Sequence, residues 1–100
     1  MTSREEARRF LAEVPEDRRF WVNNGPLLSS LNELEHAVKE MTDAAFSYHC
    51  NKEKNDFANW IRFVVGDESL AADIAKAKNR HSAIKKLGER LHSLKKKAGY

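Results

Sequence analysis

Five side chains in the sequence could bind a metal ion, namely His36, His49, His81, His92 and Cys50. His49 and Cys50 are adjacent, and a helix would point their side chains about 100° apart. His81 and His92 would share a helix face, but eleven residues of helix would separate them by about 16 Å. Zinc ligands usually occur as C-x-x-C or H-x-x-x-H pairs, and the sequence contains neither. The sequence therefore predicts no metal site and no cofactor.

Catalysis by a nucleophile or by an acid–base pair has little support in the residue spacing. No His lies at a spacing that pairs it with Cys50, and a lone Cys beside aromatic residues is usually a small core residue. Asp43, Asp56 and Asp67 each lie at an expected helix start, where a carboxylate accepts backbone N–H groups. The sequence therefore predicts a protein that is not an enzyme. A small-ligand or enzyme site around His49 and Asp56 is the third of three hypotheses about function.

A basic C-terminal segment is the main electrostatic feature of the chain. Residues 1–75 contain nine Lys or Arg and fourteen Asp or Glu, a net charge of −5, whereas residues 76–100 contain nine and one, a net charge of +8. These cations could neutralise the phosphates of a nucleic acid, and this is the second hypothesis. The candidate nucleic-acid or partner contacts are Lys85, Lys86, Arg90, Lys95, Lys96 and Lys97.

Two features of the basic segment favour a simpler interpretation. On a helical wheel its cations surround an apolar seam on most sides instead of forming one stripe. Aromatic residues that would stack on bases are missing there, apart from Tyr100. A solvated helix fits both features, and attraction to the acidic part of the chain, within or between molecules, is a further alternative.

The central stretch 55–72 is the element on which the rest of the chain depends. Phe57, Trp60, Ile61 and Val64 recur at i, i+3, i+4 and i+7, which predicts one buried helix face. Gly66 then suits the left-handed residue that closes a helix, and Asp67 suits the N-cap of the next. A buried Trp60 needs an acceptor for its indole N–H, for which Asp56 and water are the alternatives.

Two aromatic residues fall outside the predicted buried faces. Phe63 lies about 120° from Phe57 on the helical wheel, so a second element covers it or it is an exposed contact, and cover is favoured. Trp21 points away from Phe20 and Val22 if residues 18–22 are extended. Trp21 and Phe63 are therefore the predicted contact surface for a protein partner. The structural residues of the central stretch are Trp60, Asp56, Gly66 and Asp67.

The remaining elements follow from caps and apolar spacing. Capping boxes at Ser3–Glu6 and Ser30–Glu33 predict two helix starts, and Thr42-Asp43 predicts a third. The third helix turns Phe46 inward, with either Tyr48 or Cys50. Residues 18–22 are predicted to be a buried extended segment without a partner strand. The last helix either continues from Lys76 or restarts at Asn79.

Length and composition define the fold class. One hundred residues with four Gly and two Pro predict one all-α domain, a small bundle of about five helices with one extended N-terminal segment. Its parts are an N-terminal helix over 1–14, a core over 19–75 and a basic C-terminal helix over 76–100. With one Cys, no apolar run long enough for a bilayer and no signal peptide, we expect a cytoplasmic protein that contacts no membrane. The predicted core is Phe20, Val22, Leu31, Leu34, Val38, Met41, Phe46, Phe57, Trp60, Ile61, Val64, Leu70 and Ile74.

A set of these residues resembles a known family. The set is Phe20-x-Val22, Gly25, Leu28, Leu31, Glu33-Leu34, Met41, Phe46, His49, the run NDFANWI at 55–61, Gly66-Asp67 and Leu70-Ala71. In these positions the chain resembles the domain of unknown function 5752 family of prokaryotes, over roughly residues 19–73. Phe63 departs from the more polar residue expected there. The family has no established activity, so the resemblance implies the core and supplies no mechanism.

The first hypothesis about function is therefore a non-catalytic interaction or adaptor module with an unknown protein partner. Its candidate contact surfaces are the basic C-terminal helix and the Trp21/Phe63 surface. The oligomeric state does not follow from the residues.

Overall fold

The structure is a computed structural model that describes residues 2–77 and 79–100. In these residues the chain forms six α-helices and a two-stranded antiparallel sheet, which confirms the all-α class. The helix count exceeds the expected five because α5 ends at Lys76 and Asn79 caps a separate last helix. The elements are α1 (Arg4–Leu11), β1 (Phe20–Trp21), β2 (Leu27–Leu28), α2 (Leu31–Glu40), α3 (Asp43–His49), α4 (Asp56–Trp60), α5 (Glu68–Lys76) and α6 (Arg80–Ala98).

Polar side chains fix where the six helices begin. Each N-cap side chain accepts a hydrogen bond from the backbone N–H three residues later, an interaction that stabilises a helix by about 1 kcal/mol. The predicted capping box at Ser3 and Glu6 is complete. At α2 the Glu33 carboxylate reaches the Ser29 N–H at 2.7 Å, one residue before the predicted partner Ser30. The N-caps are Ser3, Ser30, Thr42, Asn55, Asp67 and Asn79.

The extended segment has a partner strand, so the prediction of an unpaired segment is wrong. Phe20 pairs with Leu28 and Trp21 with Leu27, and residues 23–26 form the connecting turn. The Gly25 N–H donates to the Val22 carbonyl at 2.8 Å within this turn. Because strand side chains alternate, Phe20 and Leu28 are buried while Trp21 and Leu27 are exposed.

The central helix changes its winding after Trp60. Residues Ile61–Val65 form a π-helical turn, and the Gly66 N–H bonds to the Ile61 carbonyl at 2.8 Å, five residues back. The extra residue in this turn moves the buried position from Val64, which is half-buried, to Val65, which is buried. Phe63 is 69% exposed, so the favoured prediction that another element covers it is wrong. Gly66 closes the turn at φ +92°, as predicted.

One continuous apolar core joins all six helices. It contains every predicted core residue except Val64 and extends to Ala7 and Phe10 of α1 and to Leu87, Leu91 and Leu94 of α6. Trp60 is buried in it, and its indole N–H donates to the Arg18 carbonyl at 2.8 Å. Neither predicted acceptor, Asp56 or water, is therefore needed. This bond ties the 3₁₀ turn Glu16–Arg18 to the central helix.

Candidate functional site

Three large apolar side chains are gathered on one exposed surface, here named the apolar patch: Trp21, Leu27 and Tyr48. They are 50%, 57% and 46% exposed. Trp21 and Leu27 are cross-strand partners, so their side chains leave the same face of the ribbon. The Trp21 and Tyr48 rings meet edge to face with centroids 6.0 Å apart. The ribbon and α3 together therefore build the patch.

Tyr48 and Leu27 are the two members of the patch that the sequence did not single out. In α3, Phe46 and His49 are buried three residues apart and Cys50 is half-buried, which leaves Tyr48 facing outward. The inward alternative for Tyr48 is therefore wrong. The spacing of these three residues, i, i+3 and i+4, is the pattern that could have shown this.

His49 lies directly beneath the apolar patch and is 2% exposed. Its Nε2 accepts the Asn23 N–H at 2.9 Å, which places the ring proton on Nδ1, where it donates to Asp56 Oδ2 at 3.0 Å. Asp56 also binds Lys54 Nζ at 2.9 Å, and this ammonium lies 4.5 Å from the Tyr48 ring centroid. The network connects the hairpin turn, α3 and α4.

The geometry around His49 gives it a structural role. Both ring nitrogens have protein partners, so neither presents a lone pair or a proton to a substrate. Burial, followed by the charge of Asp56, raises the pKa of the Cys50 thiol, which makes it a poor nucleophile near neutral pH. Across residues 2–77 and 79–100, no three His, Cys, Asp or Glu side chains group together as metal ligands would.

The two residues of the predicted Trp21/Phe63 surface are both exposed, but they have different neighbours. Trp21 contacts the rings of Tyr48 and His49. Phe63 lies on the π-helical turn, where its backbone carbonyl accepts a hydrogen bond from Arg18 Nη2 at 3.2 Å. No aromatic ring pair within the described residues joins Trp21 to Phe63. Phe63 is therefore treated as separate from the apolar patch.

The candidate cations of α6 divide into engaged and free side chains. Arg90 forms a two-pronged contact with Asp67, at 2.7 Å from Nε and 3.0 Å from Nη2, and Asp67 is 1% exposed. Lys95 binds Asn32 Oδ1 at 3.0 Å, and Lys97 binds the Thr2 carbonyl at 3.2 Å.

Three candidate cations remain without such a partner. Lys85, Lys86 and Lys96 are exposed, and they have neither an ion pair nor a side-chain hydrogen bond to any part of the chain that the structure describes. At 100° per residue all three lie on the outward half of α6, opposite Leu87, Leu91 and Leu94. Within the described residues, three of the six candidate cations of α6 are therefore free to contact a ligand, fewer than the sequence suggested.

A second surface feature, here named the acidic cleft, adjoins the apolar patch. It encloses about 910 Å³ between the hairpin residues 22–28, the outward face of α2 and the first turn of α3. Leu27 belongs to both the cleft and the patch. The charged side chains that line the cleft are Glu33 and Glu40, with His36 between them, and the described lining contains no Lys or Arg.

Comparison of this chain with protein-family models, curated protein sequences and solved structures finds no match in any of the three. The resemblance to the domain of unknown function 5752 family over residues 19–73 therefore stays a prediction. In the described ranges, every helix is too short or too polar to cross a bilayer.

Proposed function

We propose that the protein is a non-catalytic interaction module that binds another protein through the apolar patch. The observation that carries the proposal is the grouping of Trp21, Leu27 and Tyr48 on one exposed surface. Tyr and Trp are enriched among the residues that dominate binding energy in protein interfaces. An exposed cluster of such side chains on a small domain is more typical of a contact surface than of a solvated one. A single free Cys50 suits a reducing compartment, and we place the module in the cytoplasm.

The support beneath the patch favours this proposal. Trp21 lies against the buried His49 ring with centroids 6.1 Å apart, and His49 is held at both nitrogens. Lys54 covers one side of the Tyr48 ring and is itself anchored by Asp56. Because these aromatic side chains are already held in position, they would lose little conformational entropy when a partner binds.

The test is affinity capture from the protein's own cells with the tagged chain and two variants. In the first, Trp21→Ser and Tyr48→Ser remove the aromatic part of the patch. In the control, Phe63→Ser removes an aromatic side chain that is more exposed than either of these and lies outside the patch. We expect a stoichiometric partner to be recovered with the wild-type chain and with the control, and to be lost with the patch variant.

Circular dichroism and urea unfolding of all three proteins would show that each is folded. If the patch variant recovered the same partner as the wild-type chain, or if Phe63→Ser removed it as well, the apolar patch would not be the binding surface.

A second candidate function is sequence-independent binding of nucleic acid by α6. The observation in its favour is the outward group Lys85, Lys86 and Lys96, whose ammonium groups have no partner in the described residues. Three phosphate contacts would make the logarithm of the binding constant fall with the logarithm of salt concentration with a slope of about −2 to −3. Tyr100 is the one aromatic residue of the described segment 79–100 that could stack on a base, which makes this the weaker candidate.

Fluorescence anisotropy with a labelled random duplex and a labelled single strand tests this candidate. A triple variant with Gln at positions 85, 86 and 96 should abolish salt-dependent binding. A matched variant with Gln at Lys39, Lys52 and Lys76, three Lys outside α6, should retain it. Equal loss in both variants would assign the binding to net charge instead of to α6.

A further inference from the structure

The wall of the acidic cleft is one regular helix face. Glu33, His36, Ala37 and Glu40 recur at i, i+3, i+4 and i+7 of α2 and therefore lie in line along the cleft. The floor beneath them is apolar and includes the buried Leu28 and Met41 of the hairpin and the α2 end. The cleft thus combines an apolar base with two carboxylates above it.

Neither carboxylate is in an ion pair with the described residues, and the cations that contact the lining, Lys95 and Arg80, are bonded to Asn32 and to the Met41 carbonyl. Glu33 uses one oxygen, Oε1, for the N–H and hydroxyl of Ser29, at 2.7 and 3.1 Å. Glu40 is exposed, and its carboxylate is in no ion pair with the described residues. Because the described residues that line the acidic cleft include two Glu and no Lys or Arg, the lining favours a cationic occupant and opposes nucleic acid.

The distance between these two carboxylates matches the distance between two cations on a helix. Seven residues of helix place Glu33 and Glu40 about 10.5 Å apart along the axis of α2. Two cations seven residues apart on another helix have the same separation and lie on the same face. Apolar side chains three and four positions after the first cation lie between them, where the small Ala37 leaves room above the floor.

We infer that the acidic cleft receives an amphipathic helix of a partner protein, with Lys or Arg seven residues apart and apolar side chains between them. The inference rests on the proposed function, because Leu27 belongs to both the apolar patch and the acidic cleft. A helix laid in the cleft extends onto the patch, so one partner covers both surfaces. This is the helix-in-groove mode of recognition.

The test uses a fluorescein-labelled synthetic peptide of roughly 15 residues, a length at which an Ala-rich helix begins to form in water. The peptide has two Lys seven positions apart and two Leu between them, and the control peptide has Glu in place of both Lys. Fluorescence anisotropy is measured with the full chain. Two variants with the same change of charge accompany it: Glu40→Lys in the cleft, and Glu13→Lys, an exposed residue outside it.

We expect the wild-type chain to bind the Lys peptide and not the Glu peptide. Glu40→Lys should weaken this binding about tenfold or more, and Glu13→Lys should change it less than about twofold. In NMR spectra of the ¹⁵N-labelled chain, peptide should shift the amides of Ala37 and Ala44 in the cleft wall and leave that of Ala72 on α5 unchanged.

Several results would overturn the inference. They are absence of peptide binding and equal weakening of that binding by Glu40→Lys and Glu13→Lys. A dimer of the chain alone that Glu40→Lys dissociates would instead assign the acidic cleft to a second copy. If Trp21→Ser and Tyr48→Ser abolish capture of the cellular partner while Glu40→Lys does not, the proposed function stands and this inference fails.

Discussion

Asp67 has two roles in the molecule, and both depend on its burial. One carboxylate oxygen caps α5 by accepting the Leu70 N–H at 3.1 Å, and both oxygens bind Arg90 of α6. A buried carboxylate of this kind is stable only while its charge is compensated. The Gly66-Asp67 pair predicted the cap correctly. Arg90, however, was predicted to contact a nucleic acid or a partner protein. The pairing joins residues 23 positions apart, and local patterns contain no information about it.

Replacement of Asp67 by Ala should cost about 3–5 kcal/mol of unfolding free energy, because it removes the cap and leaves Arg90 partly buried without a counter-charge. Urea unfolding measures the loss. The control is Asp43→Ala, since Asp43 also pairs with an Arg of α6, Arg80, but is 92% exposed. The control should lose less than about 1 kcal/mol. Similar losses in the two variants would contradict the role given to the buried pair.

Cys50 should react slowly with iodoacetamide, because burial and the Asp56 carboxylate raise the pKa of its thiol and only the thiolate reacts. The rate near pH 8 should be several-fold below that of an unfolded Cys peptide and should increase with pH beyond the range of an ordinary thiol. Asp56→Asn should increase the rate. An alkylation rate equal to that of the peptide would contradict the prediction.

The same shift of pKa has a consequence for stability. The folded-state pKa lies above the unfolded value, so folding favours the protonated thiol. This contribution is complete below the unfolded pKa of about 8.5 and is lost as the pH increases through the folded-state pKa. Cys50→Ser should therefore reduce the loss of stability at alkaline pH, as measured by urea unfolding at several pH values.

At the scale of the element, the π-helical turn is the feature that the apolar spacing could not reveal. The i, i+3, i+4, i+7 rule assumes 3.6 residues per turn and selects Val64, whereas the wider turn buries Val65. Phe63 lies on the same turn, and its side chain is 69% exposed. The remaining predicted core positions are all buried, as the apolar spacing predicted.

Val65→Ala should reduce the unfolding free energy by about 2 kcal/mol and Val64→Ala by about 1 kcal/mol, because the first side chain is buried and the second is half-buried. Urea unfolding compares them directly, with the same chemical change in adjacent residues. The reverse order would show that regular α-helical winding continues to Gly66.

Two glycines should respond to Ala in opposite directions. Gly66 has φ +92°, and its added Cβ would meet Phe10 only at an ordinary 3.8 Å, so Gly66→Ala should cost about 1–2 kcal/mol through backbone conformation alone. Gly88 lies inside α6, where Ala is the better helix former by about 1 kcal/mol. Its Cβ would lie 3.0 Å from Glu35 Oε2, the end of a side chain that can move aside.

Gly88→Ala should therefore stabilise the protein by about 0.5 kcal/mol, and thermal unfolding of both variants measures the two effects. Stabilisation by Gly66→Ala would contradict the left-handed backbone conformation of Gly66.

The apolar patch shows which part of a site can be predicted from sequence. Trp21 was predicted to be exposed because it alternates with Phe20 and Val22. Leu27 was missed because β2 has only two residues, too few to show alternation. The meeting of Trp21 with Tyr48 and His49 joins segments 27 or more residues apart, so the patch and its support depend on tertiary packing. Local patterns could not reveal them.

At the scale of the whole molecule, α1 and α6 pack together and bring Thr2 into contact with Lys97. Arg8 Nε donates to the Ala98 carbonyl at 3.1 Å, and Lys97 Nζ donates to the Thr2 carbonyl at 3.2 Å. The apolar faces of both helices, including Ala7, Phe10 and Leu94, belong to the same core as residues 19–75.

A circularly permuted chain should therefore fold. A Gly-rich linker of about six residues, which spans on the order of 13 Å, would join the ends, with new ends between Lys52 and Glu53 in an exposed turn. We expect it to lose less than about 2 kcal/mol of unfolding free energy. A second permutant, opened between Gly66 and the buried Asp67, should fail to fold. Failure of the first permutant would contradict the close packing of the ends.

The two indoles of the chain lie in opposite environments: Trp60 is 8% exposed and bonded to Arg18, and Trp21 is 50% exposed in the apolar patch. The protein therefore contains two intrinsic fluorescent probes, one that reports binding at the surface and one that reports unfolding of the core. With Trp60 replaced by Phe, the remaining emission would come from Trp21 and report surface occupancy, with a blue shift when a partner excludes water. With Trp21 replaced by Phe, the remaining emission would come from Trp60. It would change on unfolding but not when a ligand binds the patch. Fluorescence titrations of the two variants could thus distinguish partner binding from unfolding without an attached dye.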